Sequence, residues 1–187
     1  MTTTAEVLVD LIVDALKGST AAGQSVYAFR AWPVKMAANN PQIIIDLPEE
    51  LKEGLGPNGP GQFNTTASIT VRAFIGANSS DPRGDGGEVA VRLGLLTIRR
   101  QIEVAVINAG PIMAVIQQIK AVHTKMERGE DDSGLGLGQA AIRFDFEFYQ
   151  GAEDFAPIDQ VTLTTAHVDA ALADPAGVDV SLDIPLI

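Results

Sequence analysis

The clearest secondary-structure pattern in the chain is AAIRFDFEFY, residues Ala140–Tyr149. Large apolar side chains alternate there with polar ones, and the apolar set is Ile142, Phe144, Phe146 and Phe148. Because successive side chains of a β-strand point to opposite faces, this alternation predicts a strand with one buried face. We expect helices to cover that face of the sheet.

The residues before this strand predict a hairpin. Ile119–Met126 has a composition compatible with a strand, whereas Glu127–Gly134, with the sequence ERGEDDSG, has the composition of a turn. We therefore expect Glu127–Gly134 to connect two antiparallel strands. The glycines of Gly134–Gly138 are expected to let the hairpin bend at its base.

Earlier strands are predicted by alternation and by β-branched residues. Thr66–Ile75 alternates cleanly, and Gln42–Leu47 is a β-branched run that follows the turn Asn39–Pro41. Val26–Trp32 is rich in strand formers and is followed by Pro33. Between two of these strands, Pro48–Gly61 carries four glycines and three prolines and is predicted to be a long loop.

Two long helices are predicted. The first covers Thr4–Lys17, with a capping box at Thr3–Glu6 and a stop at Gly18. The second covers Glu88–Ile107 and is apolar on two sides, so it needs more than one packing partner. Its main stripe contains Val91, Leu95, Ile98, Ile102 and Ala105, and its other apolar residues are Val89, Leu93, Leu96 and Val104.

The order of elements predicts an α+β fold in which helices pack on one face of a mostly antiparallel sheet. Gly110-Pro111 ends the second helix, and a short helical turn is expected over Ile112–Gln117. We expect residues 1–155 to form this domain and residues 156–187 to form an extension. The elements predicted in the extension are a strand at Val161–Thr164, a short helix at Ala166–Ala173 and an extended tail at Val178–Ile187.

Composition narrows the possible functions. The chain of 187 residues has 24 acidic and 13 basic side chains, a formal charge of -11, which disfavours tight binding to nucleic acid or anionic membranes. Many ordinary cytosolic proteins are equally acidic.

The absence of cysteine excludes disulfides, zinc–thiolate sites and cysteine nucleophiles. With no signal-peptide pattern and no apolar run of membrane-spanning length, we expect a soluble cytosolic product.

The chain carries no recognisable catalytic or metal-binding motif. His123 and His167 lack neighbours that would make them bases or ligands, and there is no G-x-S-x-G elbow. Glu130-Asp131-Asp132 lacks the spacing of a calcium loop, and Gly134–Gly138 lacks the lysine of a phosphate-binding loop. We therefore expect no enzyme activity, no metal and no cofactor. Arg99-Arg100 is expected to form an ion pair, either within the subunit or across an interface.

The ordered set of these elements resembles the tail terminator family of long-tailed bacteriophages. The loop Glu49–Gln62 and the extension after Phe155 have no clear counterpart in the smaller members of that family. The segments that carry the resemblance are Leu8–Lys17, Pro41–Leu47, Thr66–Ile75, the long helix with Gly110-Pro111, and Met126–Tyr149.

The resemblance implies a hexameric ring that caps the tail tube, stops its polymerisation and then binds a head-completion protein. DNA would pass through the pore without specific binding. The expected location is the head-proximal end of the tail in the virion, and the host cytoplasm during assembly. The alternatives are a neck or head-completion protein, or, from a different class, a small-molecule enzyme or binding domain.

A ring contact that repeats head to tail needs two different surfaces on each subunit. We expect the segment Ala156–Ile187 to act between subunits by adding a strand to the open edge of a neighbour's sheet. The alternatives are that it packs on its own subunit as a final strand, or that it is mobile. The candidate interface residues are Arg99, Arg100, Glu130, Asp131, Asp132, Val161, Leu163, Val180, Leu182 and Ile184.

Overall fold

The computed structural model describes residues 4–30, 40–56, 61–77, 86–130, 136–155, 165–171 and 179–185. The chain divides into two compact units, Met1–Phe155 and Ala156–Ile187. The elements of the first unit are α1 (Ala5–Leu16), β1 (Val26–Ala28), β2 (Gln42–Gly54), β3 (Phe63–Ala77), α2 (Gly86–Ile107), α3 (Gly110–Met113), β4 (Gln118–Glu130), β5 (Gly136–Gln150) and a 3₁₀ turn (Ala152–Phe155). The second unit contains β6 (Thr165–Ala171) and β7 (Asp179–Pro185).

The first unit is built on a five-stranded sheet with the strand order β1-β2-β3-β5-β4. β1 runs parallel to β2, and the remaining neighbours are antiparallel. The central pair β3–β5 keeps one register from Phe63 opposite Gln150 to Ala77 opposite Gly136. The predicted α+β class with a mostly antiparallel sheet is therefore confirmed.

The core lies between one face of this sheet and the helices. All four apolar residues predicted to be buried on β5, including Phe146, are at most 1% exposed. The rings of Phe144 and Phe146 stack with their centroids 5.8 Å apart. Side chains from α1, α2 and α3 join the same buried cluster as those of β2, β3 and β5, so the helices form a layer on that face.

The first helix begins one residue later than a capping box at Thr3–Glu6 requires. The N-cap is Thr4, whose hydroxyl oxygen accepts a hydrogen bond from the backbone N–H of Val7. The helix ends where expected, because Gly18 adopts a positive φ of 72° directly after its C-cap.

The prediction of a loop over Pro48–Gly61 is wrong for its first half, because Pro48–Gly54 belongs to β2, whereas Leu55, Gly56 and Gly61 lie outside the strands. β2 continues to Gly54 because β3 supplies ladder partners for every residue from Glu49, opposite Ser68, to Gly54, opposite Phe63. Pro48 lacks an N–H donor but falls where the register shifts between Asp46 and Glu49, a position in which a strand tolerates proline. Within the region Glu49–Gln62, the segment Glu49–Gly54 is therefore strand, and residues 57–60 lie outside the described residues.

The β4–β5 hairpin is present, but its strands are longer than predicted. Glu127–Glu130 belong to β4 and pair with Gln139–Gly136 of β5, so the predicted turn Glu127–Gly134 is shortened at its N-terminal end. Residues 131–135 lie outside the described residues. Gly110-Pro111 begins a helix, α3, because proline is well suited to the first turn, and this helix ends at Met113 instead of Gln117.

Gly138 allows close helix packing, a role that the sequence did not predict. A Cβ atom placed on it would lie 2.5 Å from Cγ1 of Val91 and 2.7 Å from Cδ1 of Leu95. These contacts are too short for real Cβ atoms, so the absence of a side chain at Gly138 lets α2 rest directly on β5. Gly94 on α2 allows a similar approach to Ile75 of β3.

The second unit is a two-stranded antiparallel sheet of β6 and β7. The predicted helix over Ala166–Ala173 is wrong, because Thr165–Ala171 pairs with Asp179–Pro185. The predicted extended conformation of the tail is correct for β7. The predicted strand at Val161–Thr164 lies outside the described residues, as do Trp32 and Pro33.

Candidate assembly surface

The outer face of α2, turned away from the sheet, carries a stripe of exposed apolar side chains. Leu93 is 60% exposed and Val104 is 50% exposed, whereas Val91, Leu95, Ile98 and Ile102 on the opposite side of the helix are buried. This confirms that α2 is apolar on two sides, and one of those sides is exposed among the described residues of the first unit. The stripe contains Val89, Leu93, Leu96, Val104 and Ile107.

A groove of about 870 Å³ runs along this stripe between α1 and α2. Its walls are mainly apolar, with Leu11 and Ala15 from α1 facing Leu96 and Val104 from α2. The loop after α1 is fixed beside the groove because the backbone N–H of Ala21 donates to Oε1 of Gln101, at 2.8 Å. The two helices thus form one continuous surface.

The two predicted arginines on α2 behave differently. Nε of Arg99 lies 2.8 Å from Oε1 of Glu103 one turn later, so Arg99 forms the ion pair within the subunit. Arg100 lines the groove, and no ion pair joins it to a carboxylate within the described part of the chain. The surface is therefore mainly apolar, with Arg100 from α2 and Asp14 from α1 among the residues that line the groove.

The opposite face of the sheet is polar, and its charges are paired. Arg143 on β5 donates from Nε to Oδ1 of Asp145, at 2.8 Å, and from Nη2 to Oγ of Ser68, at 2.7 Å. Across the sheet, Nη2 of Arg72 lies 3.0 Å from Oδ2 of Asp46. Burying such a hydrated network against a partner would cost desolvation energy, so this face is suited to remain in contact with water.

The carboxylates of this polar face are held in their charged form. Partial burial raises the pKa of Asp145, but hydrogen bonds from Arg143 and Ser68 outweigh it, and the pKa lies below its ordinary value. A hydrogen bond from Asn64, followed by one from Lys120, lowers the pKa of Glu147. Hydrogen bonds within the polar network therefore lower the pKa values of both carboxyl groups.

The arrangement of His123 does not match a hydrolytic triad. Its Nε2 lies 4.0 Å from Oδ2 of Asp145, and its side chain is well exposed. Ser68 donates its hydroxyl hydrogen bond to Asp145 and not to the imidazole, so the serine lacks a general base. Among the residues that the structure describes, no group of His, Asp and Glu side chains could hold a metal ion.

Several predicted interface residues are outside the described regions. Asp131 and Asp132 are among them, as are Val161 and Leu163. Glu130 is placed at the end of β4, at the start of the hairpin connection. Val180, Leu182 and Ile184 occupy alternate positions of β7 and therefore share one face of the β6–β7 hairpin.

The contribution of α1 to the groove was not predicted. Leu11 and Ala15 are only partly buried, and they pack beside the core while lining the groove. The sequence signal is weak, because α1 shows a single broad apolar side whose margin faces α2 only after the helices pack together.

The chain matches no model of a known protein family, and a comparison with curated proteins finds no match either. Where the structure describes helices, none is long and apolar enough to cross a membrane. The assignment of a function thus depends on the surface chemistry and on the resemblance of the ordered elements.

Proposed function

We propose that the protein is a tail terminator of a long-tailed bacteriophage, a non-enzymatic subunit of a hexameric ring that caps the tail tube. In this role it stops tube polymerisation and provides the surface that the head-completion protein binds. DNA passes through the ring without specific binding. The observation that carries the proposal is the exposed apolar stripe of α2 beside the α1–α2 groove.

The stripe supports an assembly role because its exposed apolar side chains do not contribute to the core of the subunit. α2 already buries Val91, Leu95, Ile98 and Ile102 in the core, so the fold does not need a second apolar side. Contiguous exposed apolar surfaces occur at protein interfaces, membrane-interaction sites and ligand-binding grooves, and the proposal uses the first of these. The internally paired polar face of the sheet gives each subunit a second, hydrated side that suits a surface lining a pore.

The groove volume favours one competing function. About 870 Å³ lies within the usual range of small-molecule sites, roughly 300–1,000 Å³. A small-molecule-binding domain would show a rise in melting temperature with an apolar ligand and no affinity for tubes. A neck or head-completion protein would join heads to tails but would not bind a bare tube end.

End-labelling of tail tubes tests the proposal. Gold-labelled protein is mixed with uncapped tubes polymerised from the tail-tube protein of its own phage and viewed by negative-stain electron microscopy. We expect gold at one end of each tube and a pore in the added ring. Gold at neither end would contradict the proposal, whereas a monomer in solution would not, because a tube end can template the ring.

Comparing a stripe variant with a control variant shows whether tube capping requires the stripe. Leu93→Asp places a charge on the exposed stripe, and Leu51→Asp makes the same change at a similarly exposed position of β2 that does not line the groove. Both variants should melt like the wild type, since neither position is buried. Loss of end-labelling by Leu93→Asp alone would link the stripe to capping.

A further inference from the structure

The β6–β7 hairpin has one apolar and one polar face. Its register pairs Ala166 with Ile184, Val168 with Leu182, and Ala170 with Val180. Directly paired residues share a face of the sheet, so these three pairs form an apolar face. The alternate positions place His167 opposite Asp183 and Asp169 opposite Ser181 on the other face.

Such a hairpin needs a partner to cover its apolar face. An isolated two-stranded hairpin is marginally stable at best in water, and it gains stability when it packs against a helix or joins further strands. β6 and β7 form a sheet of two strands and are the elements that the structure describes in the unit Ala156–Ile187.

The exposed stripe of α2 has matching dimensions. From Val89 to Ile107 the helix rises by about 27 Å, at ~1.5 Å per residue. A seven-residue strand such as β7 is about 23 Å long, at ~3.3 Å per residue. The hairpin could therefore cover most of the length of the stripe.

The two surfaces also carry opposite charges. Residues 156–187 contain Asp159, Asp169, Asp174, Asp179 and Asp183 and no Glu, Lys or Arg. The outer side of α2 exposes two arginines, Arg92 and Arg100, while Glu103 is already paired with Arg99. Among the residues that line the groove, the acidic one is Asp14 of α1, so the arginines lie on the α2 side. Arginine can bury its aliphatic stem and reach around the edge of a narrow hairpin with its guanidinium group. The hairpin, which is acidic and has one apolar face, thus complements the α2 stripe in both length and charge.

We propose that the β6–β7 hairpin of one copy packs its apolar face onto the α2 stripe of a neighbouring copy. This inference rests on the proposed ring function. The contact joins two different surfaces of the same chain, and a contact of that type, repeated with a fixed rotation, closes a ring. It differs from the addition of a strand to a neighbour's sheet edge, because it uses the apolar face of the hairpin and not the hydrogen-bonding edge of β6 or β7.

Cysteine cross-linking tests the contact, since the natural chain has no cysteine. Leu96→Cys is prepared in one chain and Leu182→Cys in another chain that carries a mass tag. The two are mixed under mild oxidation, with and without tail tubes. A disulfide between the two differently sized chains can form only between copies. The matched control replaces the first chain by Lys125→Cys, an exposed position on β4.

We expect the Leu96–Leu182 pair to form the mixed disulfide faster than the control pair by roughly tenfold or more, because a docked pair has a high effective concentration. Equal rates for the two pairs would overturn the inference. Rings or capped tubes without the mixed disulfide would overturn the inference but leave the proposed function standing. A fast mixed disulfide in protein that does not bind tubes would support the contact and contradict tube capping.

Discussion

Gly138 offers a sharp test of how α2 is seated on the sheet. Gly138→Ala adds one methyl group at a point where it would lie 2.5 Å from Cγ1 of Val91 and 2.7 Å from Cδ1 of Leu95. Leu95 can change rotamer, but valine in a helix has one strongly preferred rotamer, so the helix itself must move. The stripe and the groove would move with it.

Gly54→Ala is the matched control. Gly54 also lies in a β-strand, and a Cβ atom there would have no neighbour within 4 Å. Both substitutions reduce the conformational freedom of the unfolded chain, which stabilises each variant by about 0.4–1 kcal/mol. That contribution cancels when the two variants are compared, and the remaining difference measures the steric clash at Gly138.

Overpacking a well-filled site costs about 1–3 kcal/mol. For a protein of this size, each kcal/mol changes the melting temperature by roughly 2–4 °C, so Gly138→Ala should melt about 2–12 °C below Gly54→Ala. Differential scanning calorimetry of both variants and the wild type measures this difference. If Gly138→Ala melted at or above the temperature of Gly54→Ala, the close packing of α2 on β5 would be refuted.

Three further substitutions or deletions test other parts of the account. Phe146→Ala should lower the free energy of unfolding by about 3–5 kcal/mol in urea titrations, and an unchanged value would mean that β5 faces the other way. Asp145 has a lowered pKa in the folded state, so its stabilisation is present above the pKa of the unfolded carboxyl group, about 3.9, and is lost as the pH falls through the folded value. Asp145→Asn should therefore be less stable than the wild type at pH 6 and closer to it at pH 3, as judged by thermal melts, and a constant difference would contradict this. Truncation after Phe155 should leave a folded unit, because Met1–Phe155 is compact by itself, but this product should no longer bind tube ends; unfolding on truncation would contradict the assignment of the extension to assembly.

The parts of the fold that were predictable have strong local periodicity. The alternation in β5 identified a strand and its buried face, and the two apolar sides of α2 identified both the core side and the exposed stripe. In each case the burial of a side chain follows from its position within one element. The residues nearby in sequence therefore carried enough information.

The errors arose where distant partners decide the structure. Pro48–Gly61 has the composition of a loop, yet β3 provides a hydrogen-bonding ladder that keeps β2 extended to Gly54. Thr165–Ala171 is rich in alanine, a good helix former, but pairing with β7 makes it a strand. Tertiary pairing overrode local propensity at both sites.

Only the α2 side of the candidate surface was predictable from the sequence, because the α1 side depends on how the two helices pack. The outer residues of α2 follow from helical spacing, whereas Leu11 and Ala15 line the groove because α1 packs beside α2. The partner of Arg99 was undecided between a neighbour in the same subunit and one across an interface. The position of Glu103, one helical turn later, decides it.

Tube growth in the presence of the protein tests the central claim most directly. The tail-tube protein of the same phage is polymerised with increasing amounts of the wild-type chain, and tube lengths are measured from electron micrographs. The account predicts that growth stops when the ends are capped, so the mean length falls as the protein is added and capped tubes do not grow further with fresh tube protein. A length distribution that is the same at every concentration of the protein would contradict the claim that it is a tail terminator.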